Sequence, residues 1–162
     1  MRFLCRTPAI PLSVTPYSEN SVQALLLTRE YGPVRVLAKG ARRLREGVYG
    51  PLVPGTEGTA IFYRREGAPW SALSYYETET SFLTHRHSWR HHLAAAASLE
   101  IAAWLSRGTP SGEPGEGLFA LLSRTLHRLP GETPPGRGLL ALAWQAVLLA
   151  GVAPETEECD AC

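Results

Sequence analysis

The chain has 162 residues, 44% of them hydrophobic, and its 16 Lys plus Arg against 15 Asp plus Glu give a net charge of +1. This composition is enough to bury a core in one domain or two small ones, and it argues against an intrinsically disordered protein. The three cysteines, two of them in a terminal C-D-A-C, do not resemble a disulfide framework.

The first eighty residues predict a β-barrel. The N-terminal M-R-F-L-C-R-T-P does not make a signal peptide, because Arg6 and Pro8 interrupt its apolar run. Runs rich in Val, Leu, Tyr and Thr then alternate with Gly and Pro turn signals. The predicted strands lie near residues 8–15, 21–29, 33–39, 57–65 and 69–79. Five strands in so short a module fit an OB-type barrel, and the pattern alone also fits an SH3-like barrel.

The third predicted strand leads into a cationic turn. Successive side chains of a strand point to opposite faces. The predicted inward set is Val34, Val36 and Ala38, and the predicted outward set is Arg35, Leu37 and Lys39. The turn that follows at Gly40 contains Arg42, Arg43 and Arg45, with Glu46 as a nearby acid. Such an edge suits phosphate, although an ordinary solvated turn has the same composition.

Charge is distributed unevenly along the chain. Eight basic and three acidic residues occur up to Gly50, whereas eight basic and twelve acidic residues occur from Pro51 onward. Because Lys39 is the one lysine, every other side-chain cation apart from histidine is a guanidinium, which can bind phosphate through two hydrogen bonds or stack on a base. The asymmetry favours an anionic partner for the first half.

Single-stranded nucleic acid binds to surfaces that combine cations with aromatic faces. Besides the cations already named, Arg29, Arg64 and Arg65 lie in this half, and the candidate aromatic residues are Tyr31, Tyr49, Tyr63, Trp70, Tyr75 and Tyr76. We expect most of these rings to be buried or half-buried, and Tyr49 to be the exposed one because it follows the arginines of the turn. The predicted DNA-binding residues are Arg35, Lys39, Arg42, Arg43, Arg45 and Tyr49.

Helical periodicity replaces the strand pattern near residue 80. One predicted helix has Leu93, Ala97, Ile101 and Trp104 at helical spacing, and a second has Leu118, Leu121, Leu122, Thr125, Leu126 and Leu129. A third, from about 139 to 149, is apolar almost all round and should be buried on every side. The apolar run 139–153 contains Gln145 and is shorter than the roughly 18 residues of a membrane span, so we expect a cytoplasmic protein.

These patterns predict an α+β chain, with an all-β domain at residues 1–80 and a helical domain at 81–162. An adaptor that uses the barrel to bind protein rather than DNA is an alternative, because fold alone does not decide function. The excess of arginine before Gly50 favours DNA over the adaptor.

A histidine cluster raises the alternative of a metal-dependent hydrolase. His87 and His91 are four residues apart, with His85 and His92 close by. The chain has no His-Glu-x-x-His, nucleophile elbow or phosphate-binding glycine loop, so we expect it not to be an enzyme. Ser88 or Thr84 is the predicted cap of the helix that follows.

Cys159 and Cys162 are spaced as one half of a tetrahedral zinc site. Zinc binding therefore requires a second pair of ligands from elsewhere. Cys5 is predicted to be a small core residue rather than a third ligand.

One segment resembles a known family. The string Y-S-E-N-S-V-Q-A-L-L-L-T-R-E-Y-G-P-V-R-V-L-A-K-G-A-R-R, from Tyr17 to Arg43, is similar to the N-terminal signature of the RecO family of bacterial recombination mediators. Gly50-Pro51-Leu52, Ile61-Phe62-Tyr63, the strand from Leu73 to Glu79 and the terminal G-V-A-P-E-T-E-E-C-D-A-C resemble the family in the same order. The resemblance covers most of the chain.

The resemblance implies an N-terminal OB fold joined to a helical domain, which in many relatives carries zinc between two C-x-x-C pairs. It implies binding and annealing of DNA, both single- and double-stranded, and action with RecR to help RecA replace single-strand-binding protein. DNA binding carries over onto Lys39, Arg42, Arg43 and Arg45. A cation-flanked apolar pocket for the C-terminal tail of single-strand-binding protein would fall on Arg124 and Arg128, near Leu121, Leu122 and Leu129. An ordinary exposed arginine pair is the alternative there.

Overall fold

The computed structural model describes residues 2–41, 52–65, 67–83, 88–108, 115–131, 134 and 136–152. The strands are β1 (Arg2–Pro16), β2 (Val22–Thr28), β3 (Gly32–Ala38), β4 (Thr56–Arg65) and β5 (Ser71–Ser81). The helices are α1 (Trp89–Leu105), α2 (Glu116–Arg128) and α3 (Gly136–Leu149), and a 3₁₀ turn at Leu129–Gly131 follows α2.

The five strands close into a barrel in the order β1-β2-β3-β5-β4. Neighbours are antiparallel except β3 and β5, which pair in parallel at Val36 with Ser71 and Leu37 with Ala72. This is the five-stranded OB-type barrel predicted from the sequence, followed by helices, so the α+β prediction is confirmed.

Strand β1 begins at Arg2, six residues before the predicted start at residue 8. Its first half, through Ala9, pairs with β4, and its second half pairs with β2. A proline usually argues against a strand interior because it lacks a backbone N–H donor. Here Pro8 lies next to the residue at which β1 changes partner, and the strand continues through it.

The barrel interior follows the predicted alternation. In β3, Val34, Val36 and Ala38 are buried, whereas Arg35 and Lys39 are exposed and Leu37 is half-buried. The other strands supply the rest of this core, which consists of Cys5, Ala9, Ala24, Leu26, Ala60, Phe62, Leu73 and Tyr76. The predicted inward and outward sets are therefore confirmed.

A second core joins the barrel to the helices. Ile10, Leu12 and Leu27 point out of the barrel and pack with the buried sides of the three helices and their connections. Because the second half of β1 lies between two cores, four consecutive residues from Ala9 to Leu12 are buried. This arrangement leaves the first half of β1 free of the helices.

Helix α1 is present as predicted, but of the apolar stripe chosen from the sequence only Ala97 and Ile101 are half-buried, whereas Leu93 and Trp104 face outward. Leu93 and Trp104 are 61% and 67% exposed. The buried residues are Ala94, Ala95, Ser98, Leu99 and Ala102. Small side chains let the helix approach its neighbours closely, and the Ser98 hydroxyl is satisfied by donating to the Ala94 carbonyl at 2.8 Å.

Helices α2 and α3 differ in how well they are covered. The predicted core positions of α2 are buried, except that Leu118 is half-buried and Phe119 joins the core. In α3, Leu142 and Ala146 are the buried positions among the described residues, so burial on every side is not observed there. The large exposed apolar residues of this helix are Leu140, Trp144, Leu148 and Leu149. Within the part of the chain that the structure describes, no helix has the length and apolar character needed to cross a membrane.

Candidate nucleic-acid interface

A row of outward side chains crosses four strands on the side of the barrel formed by the first half of β1. Leu4 pairs with Tyr63 across β1 and β4, Tyr63 pairs with Ala72 across β4 and β5, and Ala72 pairs with Leu37 across β5 and β3. Directly opposed side chains in a sheet have their Cβ atoms about 4.5–5.5 Å apart, so these four form a continuous strip. We call these four residues the outer row.

Arginine side chains border the outer row. Arg2 and Arg65 are cross-strand partners, so both side chains lie on the same face at one end of the row. Arg6 lies beside the row on β1, opposite Ile61, and Arg35 lies beside it on β3. All four arginines are exposed.

These cations have no carboxylate partner among the described residues. The ion pair found within the described ranges joins His127 to Glu57, away from the outer row. Like charges directly opposed across a sheet are destabilising, which applies to Arg2 opposite Arg65. An anion bound over this end of the barrel would remove that repulsion.

Two aromatic rings accompany these arginines. The guanidinium carbon of Arg2 lies 4.1 Å from the centroid of the Tyr63 ring, and that of Arg35 lies 6.0 Å from the Trp70 ring. Trp70 is 40% exposed and immediately precedes β5. Each ring therefore combines an aromatic face with a nearby positive charge, as surfaces for single-stranded nucleic acid do.

Tyr63 is half-buried, and the remaining aromatic candidates among the described residues are half-buried or buried, as expected. Tyr76 is fully buried, its hydroxyl is within hydrogen-bond distance of Thr56, and burial raises the pKa of Tyr76 to about 12. Tyr31 is half-buried with its ring edge-to-face against Phe62. Tyr75 is also half-buried. The Tyr76 and Tyr31 rings are therefore part of the packing of the barrel core.

Cys5 faces the barrel interior and is buried, as predicted for a core residue. A hydrogen bond with the Cys5 thiol, together with burial, raises the pKa of the Tyr31 hydroxyl. The thiol is thus part of the barrel core.

Several predicted site residues lie outside the described residues. They are Arg42, Arg43, Arg45 and Tyr49 of the basic turn, the terminal Cys159 and Cys162, and His85 and His87 of the histidine cluster. Their roles stay predictions. Two residues of the predicted DNA-binding set are described. Arg35 lies beside the outer row, and Lys39 is exposed immediately after the end of β3.

The described histidines take part in the start of α1. Ser88 is the N-cap residue, but its hydroxyl lies 2.7 Å from Nδ1 of His91 and makes no capping bond to the backbone. Nδ1 of His92 lies 3.0 Å from the Ser88 carbonyl oxygen. Across the described ranges, no three His, Cys, Asp or Glu side chains are grouped so that they could hold a metal ion.

Two arginines of this surface were missed by sequence reasoning. Arg2 and Arg6 fall before the predicted start of the first strand, and the true start places them beside Tyr63 and Ile61. The signal that could have found them is the strand alternation, because Cys5, Thr7 and Ala9 all point into the barrel. Reading that series would have placed Arg6 on the outer face.

A separate basic groove lies between α2 and α3. Arg124 and Arg128 are exposed, one turn apart on α2, and the groove also takes in Arg137 from α3. Its volume is about 230 Å³, and its apolar lining includes Leu121 and Leu142. Leu122 and Leu129, expected near the arginine pair, instead belong to the core between barrel and helices, Leu122 from the buried side of α2 and Leu129 from the 3₁₀ turn after it.

The chain is similar to known proteins over most of its length. The family model described as "Recombination protein O N terminal" matches residues 1–82. The chain is 32% identical over 129 residues to the DNA repair protein RecO of Salinibacter ruber, covering 79% of this chain and 48% of that protein. It is 31% identical over 163 residues to DNA repair protein RecO of Myxococcus xanthus, covering 95% and 62% respectively. The chain thus spans between about half and three fifths of the length of these relatives.

Proposed function

This chain belongs to the RecO family of DNA repair proteins, and from that premise we propose that it is a recombination mediator that binds DNA on the outer face of its barrel. Its ligands are single- and double-stranded DNA. Its role is to hold and anneal single strands and, together with RecR, to help RecA replace single-strand-binding protein. Such work takes place on the bacterial nucleoid and makes or breaks no covalent bond.

The observation that carries this proposal is the set of exposed arginines around the outer row. Arg2, Arg6, Arg35 and Arg65 have no ion-pair partner within the described residues. Guanidinium groups bind phosphate oxygens, and each bound phosphate releases counterions from the nucleic acid. The exposed Lys39 and the predicted residues Arg42, Arg43, Arg45 and Tyr49 would extend this surface beyond β3.

Annealing follows from the same electrostatics. Two complementary strands repel each other through their phosphates, and a surface that neutralises those phosphates lets them approach. No sequence preference is expected, because phosphate contacts position nucleic acid without reading the bases.

The test is a titration of labelled DNA at several salt concentrations. We expect the logarithm of the binding constant to fall linearly with the logarithm of salt concentration. Changing Arg2 and Arg65 to Gln should reduce that slope by about one for each phosphate that the variant no longer binds. The control changes Arg90 and Arg107 to Gln, which removes the same charge from α1 and its C-terminal end. A flat salt response, or equal losses in both double variants, would exclude binding at this face.

A barrel that binds protein instead of DNA is the alternative, since Phe3 and Leu4 are large exposed apolar residues on the same strand. The exposed arginines beside them, which have no ion-pair partner among the described residues, favour DNA. Measuring DNA binding with and without RecR separates the two functions, because an adaptor would show no affinity for DNA in either case.

The groove between α2 and α3 supports a second proposed contact, with the acidic and hydrophobic C-terminal tail of single-strand-binding protein. Three guanidinium groups, of Arg124, Arg128 and Arg137, border a small cavity with leucines in its lining. Cations and apolar surface together suit a short peptide of acidic and hydrophobic residues.

A labelled peptide of that composition should bind, and changing both Arg124 and Arg128 to Gln should weaken it at least tenfold. The barrel variant with Arg2 and Arg65 changed to Gln serves as the control and should bind the peptide normally. Equal affinity of the α2 variant and the unmodified protein would exclude this groove.

The sequence supplies one half of a zinc site. Cys159 and Cys162 would provide two thiolates, and four-coordinate zinc requires two more ligands. We therefore propose no cofactor for the functions described above.

A further inference from the structure

We infer that the barrel selects single-stranded over double-stranded DNA by stacking bases on two rings, Tyr63 and Trp70. This inference rests on the proposed DNA-binding function and adds to it the residues that set the preference. The arginines supply attraction for any phosphate backbone, whereas the rings can be used only by bases whose faces are free.

The two rings lie on the same side of the barrel. Tyr63 is opposite Ala72 in the antiparallel pair of β4 and β5. Trp70 is two residues before Ala72, so by strand alternation it belongs to the same outward face. Its contact with Arg35 supports this position. Val36 and Ser71 are partners in the parallel pair of β3 and β5, so the residues just before them, Arg35 and Trp70, lie side by side.

The spacing of the rings favours bases that are pulled apart. Diagonal neighbours in an antiparallel pair are about 7–8 Å apart. Each strand of a duplex advances only about 3.4 Å per nucleotide, with its bases stacked on one another. Consecutive bases can therefore occupy both Tyr63 and Trp70 only when the strand is extended and its bases are unstacked.

Each ring has a cation beside it. The guanidinium carbon of Arg2 lies 4.1 Å from the centroid of the Tyr63 ring. The corresponding distance from Arg35 to the Trp70 ring is longer, at 6.0 Å. Guanidinium planes stack on bases as aromatic rings do. A base can thus stack on the Arg2–Tyr63 pair or directly on the indole of Trp70, with positive charge near its phosphate in both cases.

The surface between the rings is apolar. Leu4 and Leu37 extend the outer row on either side of Tyr63 and Ala72, and Leu4 is 62% exposed. None of the four residues of this row carries a carboxylate. The row itself would therefore not repel the phosphates of a bound strand. A duplex would contact the surrounding arginines without reaching this strip.

The experiment compares Tyr63→Leu and Trp70→Leu for binding to a labelled single strand and to the matching duplex. Stacking on one ring is worth a factor of about 5 to 150 in affinity, so each change should weaken single-strand binding by that factor. Duplex affinity should stay within about twofold. The conservative changes Tyr63→Phe and Trp70→Phe should keep single-strand binding near that of the unmodified protein.

Trp89→Leu is the matched control. Trp89 is 69% exposed on α1 and also carries an arginine, since the guanidinium carbon of Arg90 is 5.5 Å from its ring. Its loss should leave both affinities unchanged. A strand of the same length with abasic sugars loses both stacks, so it should bind the unmodified protein more weakly than the intact strand binds either Leu variant.

The outcomes separate the two levels of the proposal. No binding of either DNA by the unmodified protein would overturn the proposed function itself. Binding that Tyr63→Leu and Trp70→Leu leave unchanged, or weaken equally for single strand and duplex, would overturn the stacking inference alone. Thermal unfolding of every variant ensures that an equal loss is not mistaken for a damaged fold.

Discussion

The barrel and the helical layer bury their apolar side chains in different ways. The barrel closes on itself, and its large core side chains, among them Phe62 and Tyr76, are fully buried within it. Helix α1 buries mainly small residues, and the helical layer leaves Trp104 and Trp144 exposed. A closed sheet is therefore complete without neighbours, whereas the described helices depend on the barrel for their core.

Three contacts seat α2 on the barrel. The Gly115 amide donates to the Arg29 carbonyl at 3.2 Å, and the Ser123 hydroxyl donates to a Glu57 carboxylate oxygen at 2.8 Å. The same oxygen lies 3.3 Å from Nε2 of His127. These contacts connect α2 to β4 and to the turn between β2 and β3.

The largest expected effect is in the barrel core. Phe62→Ala should lower the free energy of unfolding by about 3–5 kcal/mol, because the ring is fully buried and packs against Tyr31. Leu140→Ala on α3, where the side chain is exposed, should change it by less than about 0.5 kcal/mol. Urea denaturation of both variants measures the difference. Similar losses would mean that the two regions are packed alike.

The next effect is at the seat of α2. A Cβ atom on Gly115 would lie 2.6 Å from the Gly32 Cα and 2.8 Å from the Thr28 carbonyl oxygen, both of them backbone atoms. Gly115→Ala should therefore cost about 1–3 kcal/mol and speed amide hydrogen exchange in α2. Gly131→Ala is the control, because its Cβ would meet no atom within 4 Å. An unchanged exchange rate in α2 would show that this contact does not hold the helix.

A smaller effect is expected from the hydrogen bond between Ser123 and Glu57. Ser123→Ala should lower the free energy of unfolding by about 1 kcal/mol, because the bond that it removes is partly buried. In a Glu57→Ala background the same change should cost almost nothing. Chemical denaturation of the four proteins in this double-mutant cycle gives the coupling. A cost that is the same in both backgrounds would mean that the serine acts elsewhere.

The smallest effect on stability is expected on the open side of the helices. Changing Trp104 and Trp144 to Gln should alter the free energy of unfolding by less than about 0.5 kcal/mol each. It should nevertheless reduce any self-association, since large exposed apolar side chains promote contacts between molecules. Light scattering over a range of protein concentrations measures this. Unchanged scattering would mean that these indoles are not the cause of association.

Local patterns in the sequence predicted most of the barrel. Alternation of apolar and basic residues identified β3 and both of its faces, because a strand has a fixed period of two. The predicted start of β1 was wrong because it was placed at Pro8, whereas the strand begins at Arg2 and runs through this proline. Its tolerance there depends on a change of strand partner, which involves residues distant in sequence.

Helical periodicity was less informative about orientation. In α1 the pattern showed a helix, but it did not show that the alanine face, rather than Leu93 and Trp104, packs inward. That choice depends on how closely the barrel and the helix approach. The placement of Tyr63 and Trp70 on one side of the barrel was equally hidden, since it depends on the β4–β5 register and on the parallel pairing of β3 with β5.

The length of strand β1 links the outer face of the barrel to the helical layer. Its first half displays Leu4 and Arg6 on the outer face, and its second half anchors the helices through Ile10 and Leu12. One continuous strand thus contributes to both surfaces, with a register shift between Pro11 and Ser13. Tension applied by a ligand drawn across the barrel is transmitted along this backbone straight into the helical layer.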